Sequence, residues 1–277
     1  MIRADYHTHS SFSTDSDASA EAMITSAIER GLTHYCFTDH MDLGYPGSTS
    51  EKPLFNFDPE TYFSKLEPLK KQYENHIFVG IGVEYGFRPD ARQFDTQMSG
   101  MLARYPFDFV LGSLHLLNGE DPYYEDYWLR NTDSVKNIMA RYFEQMLAAL
   151  QSFNDFDSLG HIDYLIRYIP KDLGKKDYVY KEYREVLDEI LKLLISGNKA
   201  LEVNTKGLLS GLSCFHPKLD ILQRYRELGG TLLTIGSDAH MPEGIAAEFT
   251  RTEEMIKSCG FSGYHVYRKR TPELILF

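Results

Sequence analysis

The chain has 277 residues, 43% hydrophobic and 25% charged, and its 29 Lys and Arg against 40 Asp and Glu give a formal net charge of −11. That is enough for one large α/β domain or two small ones, and the acidity speaks against a sequence-independent grip on nucleic acid, which needs clustered Lys and Arg. No stretch approaches the roughly 20 apolar residues of a membrane span, the first residues lack the apolar core of a secretory signal, and Cys36, Cys214 and Cys259 are too scattered for a disulfide framework or a thiolate zinc knuckle. The expectation is a soluble, cytoplasmic protein of enzyme size.

Short apolar runs alternate with longer helical patterns along the chain. Residues 2–6 read as a first strand leading into Asp-Tyr-His-Thr-His, and residues 20–30 as a helix stopped by Gly31. A second strand, 34–38, runs into Thr-Asp-His. Asp58-Pro59 has the form of an N-cap and first helical position, opening a helix that reaches about Glu74. A third strand, 77–84, ends on Glu84; a helix over 88–105 is the weakest of the patterns. The fourth strand, 107–114, runs into His115. Residues 132–151 carry Val135, Ile138, Met139, Tyr142, Phe143, Met146 and Leu147 in a helical stripe. A fifth strand, 157–161, closes on His161, and a helix over 178–196 stops at Gly197. The sixth strand, 200–205, is followed by a helix over 217–228 that stops at Gly229-Gly230. A seventh, 231–237, runs into Asp238-Ala239-His240, and Pro242 opens a last helix.

Seven βα units imply right-handed crossovers and a parallel sheet, and in 277 residues they suit a closed, distorted (β/α)7 barrel forming one domain over residues 1–277. Strand C-terminal ends converge on one face of such a barrel. Six of the ten histidines fall there: His7, His9, His40, His115, His161 and His240, together with Glu84 and Asp238. His7 and His9 are two apart on extended chain, so both side chains point to one side, and Asp238 and His240 repeat the spacing. Imidazole nitrogen with carboxylate oxygen and no thiolate suits Zn²⁺, Mn²⁺ or Fe²⁺. His34, His76, His216 and His265 fall at strand starts, loops or helix starts and read as structural or solvent-exposed. Asn204 could support the site or bond a turn. The tyrosine-rich segment 121–128 reads as a loop packed on the barrel, with no assigned role.

This arrangement resembles the PHP (polymerase and histidinol phosphatase) superfamily along the whole chain. The opening Asp5–Ser16 and the run Gly160–Tyr168, Gly-His-Ile-Asp-Tyr-Leu-Ile-Arg-Tyr, are similar to those of its stand-alone histidinol-phosphate phosphatases. The resemblance implies a trinuclear centre: His7, His9, Glu84 and Asp238 on one ion, Glu84 bridging to a second held by His115 and His161, and Asp15, His40 and His240 on a third. Asp15 stands where many members carry His, so the third ion is the least securely held. Glu84, Asp238 and His240 become the catalytic candidates. Arg167 takes the place of an Arg that contacts substrate phosphate, and Lys206 lies where the family often has Arg. Two to three divalent ions (Zn, Mn or Fe) would then present a bridging hydroxide for in-line attack on the phosphorus of L-histidinol phosphate, a step of histidine biosynthesis.

Other readings keep part of this pattern. The same centre could serve a nucleotide, bisphosphate or phosphodiester. An amidohydrolase also begins with His-x-His, but would place a Lys on the fourth strand, where this chain has His115. A metal-binding module serving a polymerase would have no hydrolysis of its own. The expected partner is a small phosphorylated substrate, with no nucleic acid and no membrane.

Overall fold

The computed structural model describes residues 1–49, 51–174 and 176–277. Its main sheet is parallel and consists of β1 (Ala4–Asp5), β2 (His34–Phe37), β3 (His40–Met41), β4 (Phe78–Gly86), β5 (Phe109–Ser113), β6 (Ser158–Leu159), β7 (Ala200–Asn204) and β8 (Leu233–Gly236). β2 pairs with the first half of β4 and β3 with its second half, so the two lie end to end as one stave. Seven staves result, in chain order around the sheet. Their ring closes where the chain beyond β1 meets β8: Tyr6 N–H donates to the Ile235 carbonyl, Asp238 N–H to that of His7 and His9 N–H to that of Ala239, each at 2.8 Å. The architecture is a distorted (β/α)7 barrel.

Burial explains the unbroken apolar runs. Strands covered on both faces have no polar side to alternate with, and Phe37, Val83, Leu111, Leu201 and Leu233 are all fully buried. The helices α1 (Ala20–Glu29), α2 (Pro59–Gln72), α3 (Gln93–Arg104), α4 (Glu125–Arg130), α5 (Val135–Ser152), α6 (Arg184–Ser196), α7 (Lys206–Leu209), α8 (Leu219–Glu227) and α9 (Phe249–Ser258) fill the connections. Side-chain oxygens of Ser19, Asp58 and Ser134 cap α1, α2 and α5 by accepting from Ala22, Thr61 and Asn137 N–H. No helix of the described residues is long and apolar enough to cross a membrane.

Several elements depart from the sequence expectation, among them the short helices α4 and α7, which no helical pattern marks. The helix expected over 178–196 begins only at Arg184, because Tyr178 and Tyr180 are tied by their hydroxyls to Asp163 and Asp188, and the chain forms a 3-10 turn over Tyr180–Glu182 first. Pro242 opens one 3-10 turn and not the helix; Ala246 and Glu248 take left-handed φ of 54° and 63°, which ends any helical run before α9. Unforeseen altogether is an antiparallel hairpin, β9 (Gly263–Arg268) and β10 (Thr271–Leu276). It packs under the strand starts: Tyr6 Oη donates to the Tyr267 carbonyl, Lys269 N–H to Asp108 and the Arg270 guanidinium to Asp157. Its turn is Lys269-Arg270, both at positive φ, in place of the Asn-Gly type that marks such turns in a sequence.

Candidate metal centre and active site

The convergence of the staves gathers residues distant in sequence around one carboxylate. Glu84, at the C-terminal half of β4, has five imidazole nitrogens near it. Oε2 lies 3.2 Å from His7 Nε2, 3.5 Å from His9 Nε2 and 3.1 Å from His40 Nδ1. Oε1 lies 3.2 Å from His115 Nε2 and 3.0 Å from His161 Nε2. Asp238 Oδ1 is 3.7 Å from His9 Nε2 and 4.0 Å from His7 Nε2. Asp15 Oδ2 approaches His240 Nε2 to 3.0 Å and His40 Nε2 to 3.7 Å at the more open edge. All nine candidate ligands named from the sequence therefore meet in one place. Lys206 and Arg167 meet them: Lys206 Nζ donates to the Asp238 carbonyl at 3.1 Å, and Arg167 Nη1 to Asp238 Oδ2 at 3.0 Å.

The donor set fits divalent cations. Two ligands of one ion, each about 2.1 Å from it, lie about 3.0–3.4 Å apart, which is the spacing around Glu84. His7 Nε2, His9 Nε2, His40 Nδ1 and Glu84 Oε2 are buried and have no hydrogen-bond partner, an arrangement that costs free energy unless something positive lies between them. Four overlapping trios of ligand atoms, His9–His40–His240, His7–His161–Asp238, His7–His9–Glu84 and His40–Glu84–His115, could each hold an ion.

Electrostatics lead to the same conclusion. Burial by itself would lower the His7 imidazole, but Glu84, Glu202 and Asp238 outweigh it and hold its pKa well above the ordinary value. His115 is likewise pushed up to about 10, burial being outweighed by Asp42 and Glu84. His9 goes the other way: burial and the neighbouring His240 and His40 pull it well down, and its ring is stacked between those two at 4.1 and 4.3 Å. A field that favours a proton on His7 and His115 favours a metal cation equally, and His9 is kept neutral with its lone pair free.

Several residues besides the candidate ligands orient them, and of these the sequence offers only Asn204. Glu202 Oε1 accepts from His7 Nδ1 at 2.6 Å, and Asn204 Nδ2 lies 3.2 Å from the same nitrogen. Gly236 makes room for this pair, since a Cβ there would stand 2.3 Å from His7 Cβ and 2.4 Å from Glu202 Oε1. Asp42 Oδ1 accepts from His115 Nδ1 at 2.7 Å, while Ser13 Oγ lies 3.0 Å from His9 Nδ1 and donates to the buried Asp39 at 2.8 Å. Such partners fix which imidazole nitrogen points at a metal. Asp238 holds a left-handed φ of 55°, rare for a residue other than glycine, as the chain turns out of β8 with its carboxylate aimed inward.

A cavity of about 480 Å³ opens over the centre, bounded by Asp15, His40, Glu84, His115, His161, Asp238 and His240 on its floor and by Arg167 and Lys206 beside them. Its rim corrects the reading of residues 121–128 as mere packing: Asp121, Tyr123 and Tyr124 line it, with Tyr45, Tyr164 and Tyr168. Of the four remaining histidines, His76 is exposed, His34 bonds Arg268, His265 accepts from Leu233 N–H below β8, and His216 is buried beside Arg167.

Comparison with known proteins matches the PHP domain family model to residues 5–206. A probable histidinol-phosphatase of Clostridium acetobutylicum is 34% identical over 255 residues, 92% of this chain and 93% of that protein. The histidinol-phosphatase of Lactococcus lactis is 33% identical over 263 residues, 94% of this chain and 93% of that one. The crystal structure of the histidinol phosphate phosphatase from Lactococcus lactis, in complex with Zn, L-histidinol and phosphate, superposes with a TM-score of 0.85 at 30% identity, over 98% of both chains.

Proposed function

The chain belongs to the PHP domain family, and from that premise we propose that it is a metal-dependent phosphomonoesterase hydrolysing L-histidinol phosphate to L-histidinol and phosphate, with residues 1–277 acting as one domain. The observation that carries this reading is one cavity lined by seven of the nine clustered ligand-type residues, with His7 and His9 fully buried next to them and Arg167, whose buried Nη2 has no partner, at their side.

His7, His9, Glu84 and Asp238 would hold one ion, His115 and His161 with Glu84 a second, and Asp15, His40 and His240 a third. Asp15, 40% exposed, gives the third the weakest grip. Divalent Zn, Mn or Fe ions there supply the Lewis acidity that makes water nucleophilic near neutral pH and neutralises phosphoryl charge.

The chain's own groups do the rest. Arg167 Nη1 is engaged by Asp238, which leaves Nη2 to donate to a phosphate oxygen and orient the ester. Lys206 adds a positive charge beside the same Asp238. On the rim, Asp121 accepts from Tyr45 Oη at 2.6 Å and Tyr123 N–H at 2.8 Å, and its oxygens keep free lone pairs. An acid among tyrosine faces suits the ammonium and imidazole of histidinol, as the cationic side suits its phosphate. The net charge of −11 speaks against nucleic acid as a partner; the small phosphorylated substrate is drawn by the cationic groups of the site, and the proposed setting is cytoplasmic.

The test is phosphate release from a panel of monoesters, with the protein loaded in turn with Zn²⁺, Mn²⁺ and Fe²⁺. Histidinol phosphate is expected to give the highest kcat/KM. If another monoester is cleaved well and histidinol phosphate is not, the substrate assignment fails and the centre serves a different ester.

A further inference from the structure

Arg167 has a support of its own. His216, fully buried, places Nε2 3.4 Å from Arg167 Nε, and its Nδ1 lies 2.6 Å from Oδ1 of the equally buried Asp163. The second oxygen of Asp163 accepts from Tyr178 Oη at 2.8 Å and from Lys218 N–H at 2.9 Å. At the far end of the guanidinium, Nη1 donates to Asp238, and the rings of Tyr164 and Tyr168 lie 5.3 and 5.9 Å from Cζ.

We propose that His216 and Asp163 are positioning residues that aim the Arg167 guanidinium at substrate phosphate through one imidazole tautomer; this rests on the role given to Arg167 above. A guanidinium Nε–H can only donate, so His216 Nε2 must offer its lone pair. The proton then sits on Nδ1, where Asp163 Oδ1 accepts it. A proton on Nε2 would oppose the Arg167 Nε–H. With Nε held by His216 and Nη1 by Asp238, Nη2 is the nitrogen left for a ligand, and it is the one that is buried without a partner. Take away the acceptor at His216 and Nε–H becomes a buried, unsatisfied donor. The guanidinium then turns to satisfy it, and the aim of Nη2 is lost.

Asp163→Asn disturbs the same chain from its outer end. Two donors converge on Oδ2, so the new carboxamide keeps its oxygen there and turns its NH₂ toward His216. The imidazole must then accept at Nδ1 and carry its proton on Nε2, against Arg167.

The experiment is calorimetric titration of zinc-loaded protein with inorganic phosphate, which reads binding without turnover. It compares wild type, H216L, H216Q and D163N, each also in an R167M background, with zinc content measured for every sample. In the wild-type background H216L and D163N are expected to weaken phosphate binding about tenfold, and in the R167M background by less than about twofold. H216Q, whose carbonyl can accept from Nε–H, recovers most of the loss. Equal weakening in both backgrounds, or no weakening in the first, overturns the proposal, because a merely structural residue would act without regard to Arg167. Should H216L fail to fold, the near-isosteric D163N carries the same cycle. If wild type binds phosphate with the expected coupling but leaves histidinol phosphate intact, the substrate reading fails and this assignment stands.

Discussion

Glu84 stands at the focus of the cluster, its two oxygens shared among five imidazoles. They approach within 3.0–3.5 Å at full burial, and burial alone would raise the pKa of the carboxyl. The cationic pull of His7, His115 and His40 outweighs that and holds it well below the ordinary value. The cavity above it has a cationic and an acidic side, and each can be tested with one substitution. Arg167→Met should raise KM for histidinol phosphate about tenfold or more with a smaller change in kcat, as expected for a ground-state phosphate contact; steady-state kinetics with metal content held constant measures this, and an unchanged kcat/KM would remove Arg167 from the site. Asp121→Asn should lower kcat/KM for histidinol phosphate while leaving that for an amine-free aryl phosphate within about twofold. Equal losses on the two esters would mean that Asp121 shapes the rim without recognising the amine.

Among the elements, the helical shell shows how one ion pair can join two units. Asp188 on α6 receives Arg224 Nε and Nη2 of α8 at 2.9 and 2.7 Å, and Tyr180 Oη as well. The Arg224 hydrogen bonds are the main reason its carboxyl lies at about 2, below the ordinary 3.8. A depressed carboxyl stabilises the fold above the unfolded-state value and loses that contribution as pH falls through the folded one. Asp188→Asn should therefore cost about 1–2 kcal/mol at neutral pH, and its deficit against wild type should shrink between about pH 4 and pH 2. Thermal melts of both proteins across that range provide the check; a deficit constant with pH would assign the effect to packing. The hairpin β9–β10 shows the limit of local patterns at this scale. Its Lys269-Arg270 turn carries no turn signature, and contacts distant in sequence, with Asp108, Asp155 and Asp157 among others, hold it in place.

For the molecule as a whole, the ring of seven staves closes through hydrogen bonds between the segment after β1 and the segment after β8, and the proposed ligands His7, His9 and Asp238 lie on those same two segments. Metal bound by these residues would therefore tie the barrel closed. Stripping the metals with a chelator should lower the melting temperature by about ten degrees at a thousandfold excess of metal over its dissociation constant, with recovery on adding Zn²⁺ and loss of phosphate binding in between. A melting temperature indifferent to chelator would mean that the centre forms no part of the fold's stability.

Much of this was written in the chain. Apolar runs marked several of the seven staves, because strands buried on both faces cannot hide their composition, and the alternation with helical patterns and the ligand-type residues at the strand ends marked the rest. The sequence alone determined the barrel and the set of groups that meet above it. Glu202, Asp42, His216 and Asp121 were not legible, since each acquires its part by touching something far along the chain: Glu202 lies 195 positions from His7, and His216 lies 49 from Arg167. A buried acid or imidazole has no local signature that separates a support from a ligand. Only the tertiary structure decided which nitrogen each imidazole turns inward, which guanidinium nitrogen stays free and which loop forms the rim, because these depend on hydrogen bonds across the barrel and not on spacing along a strand.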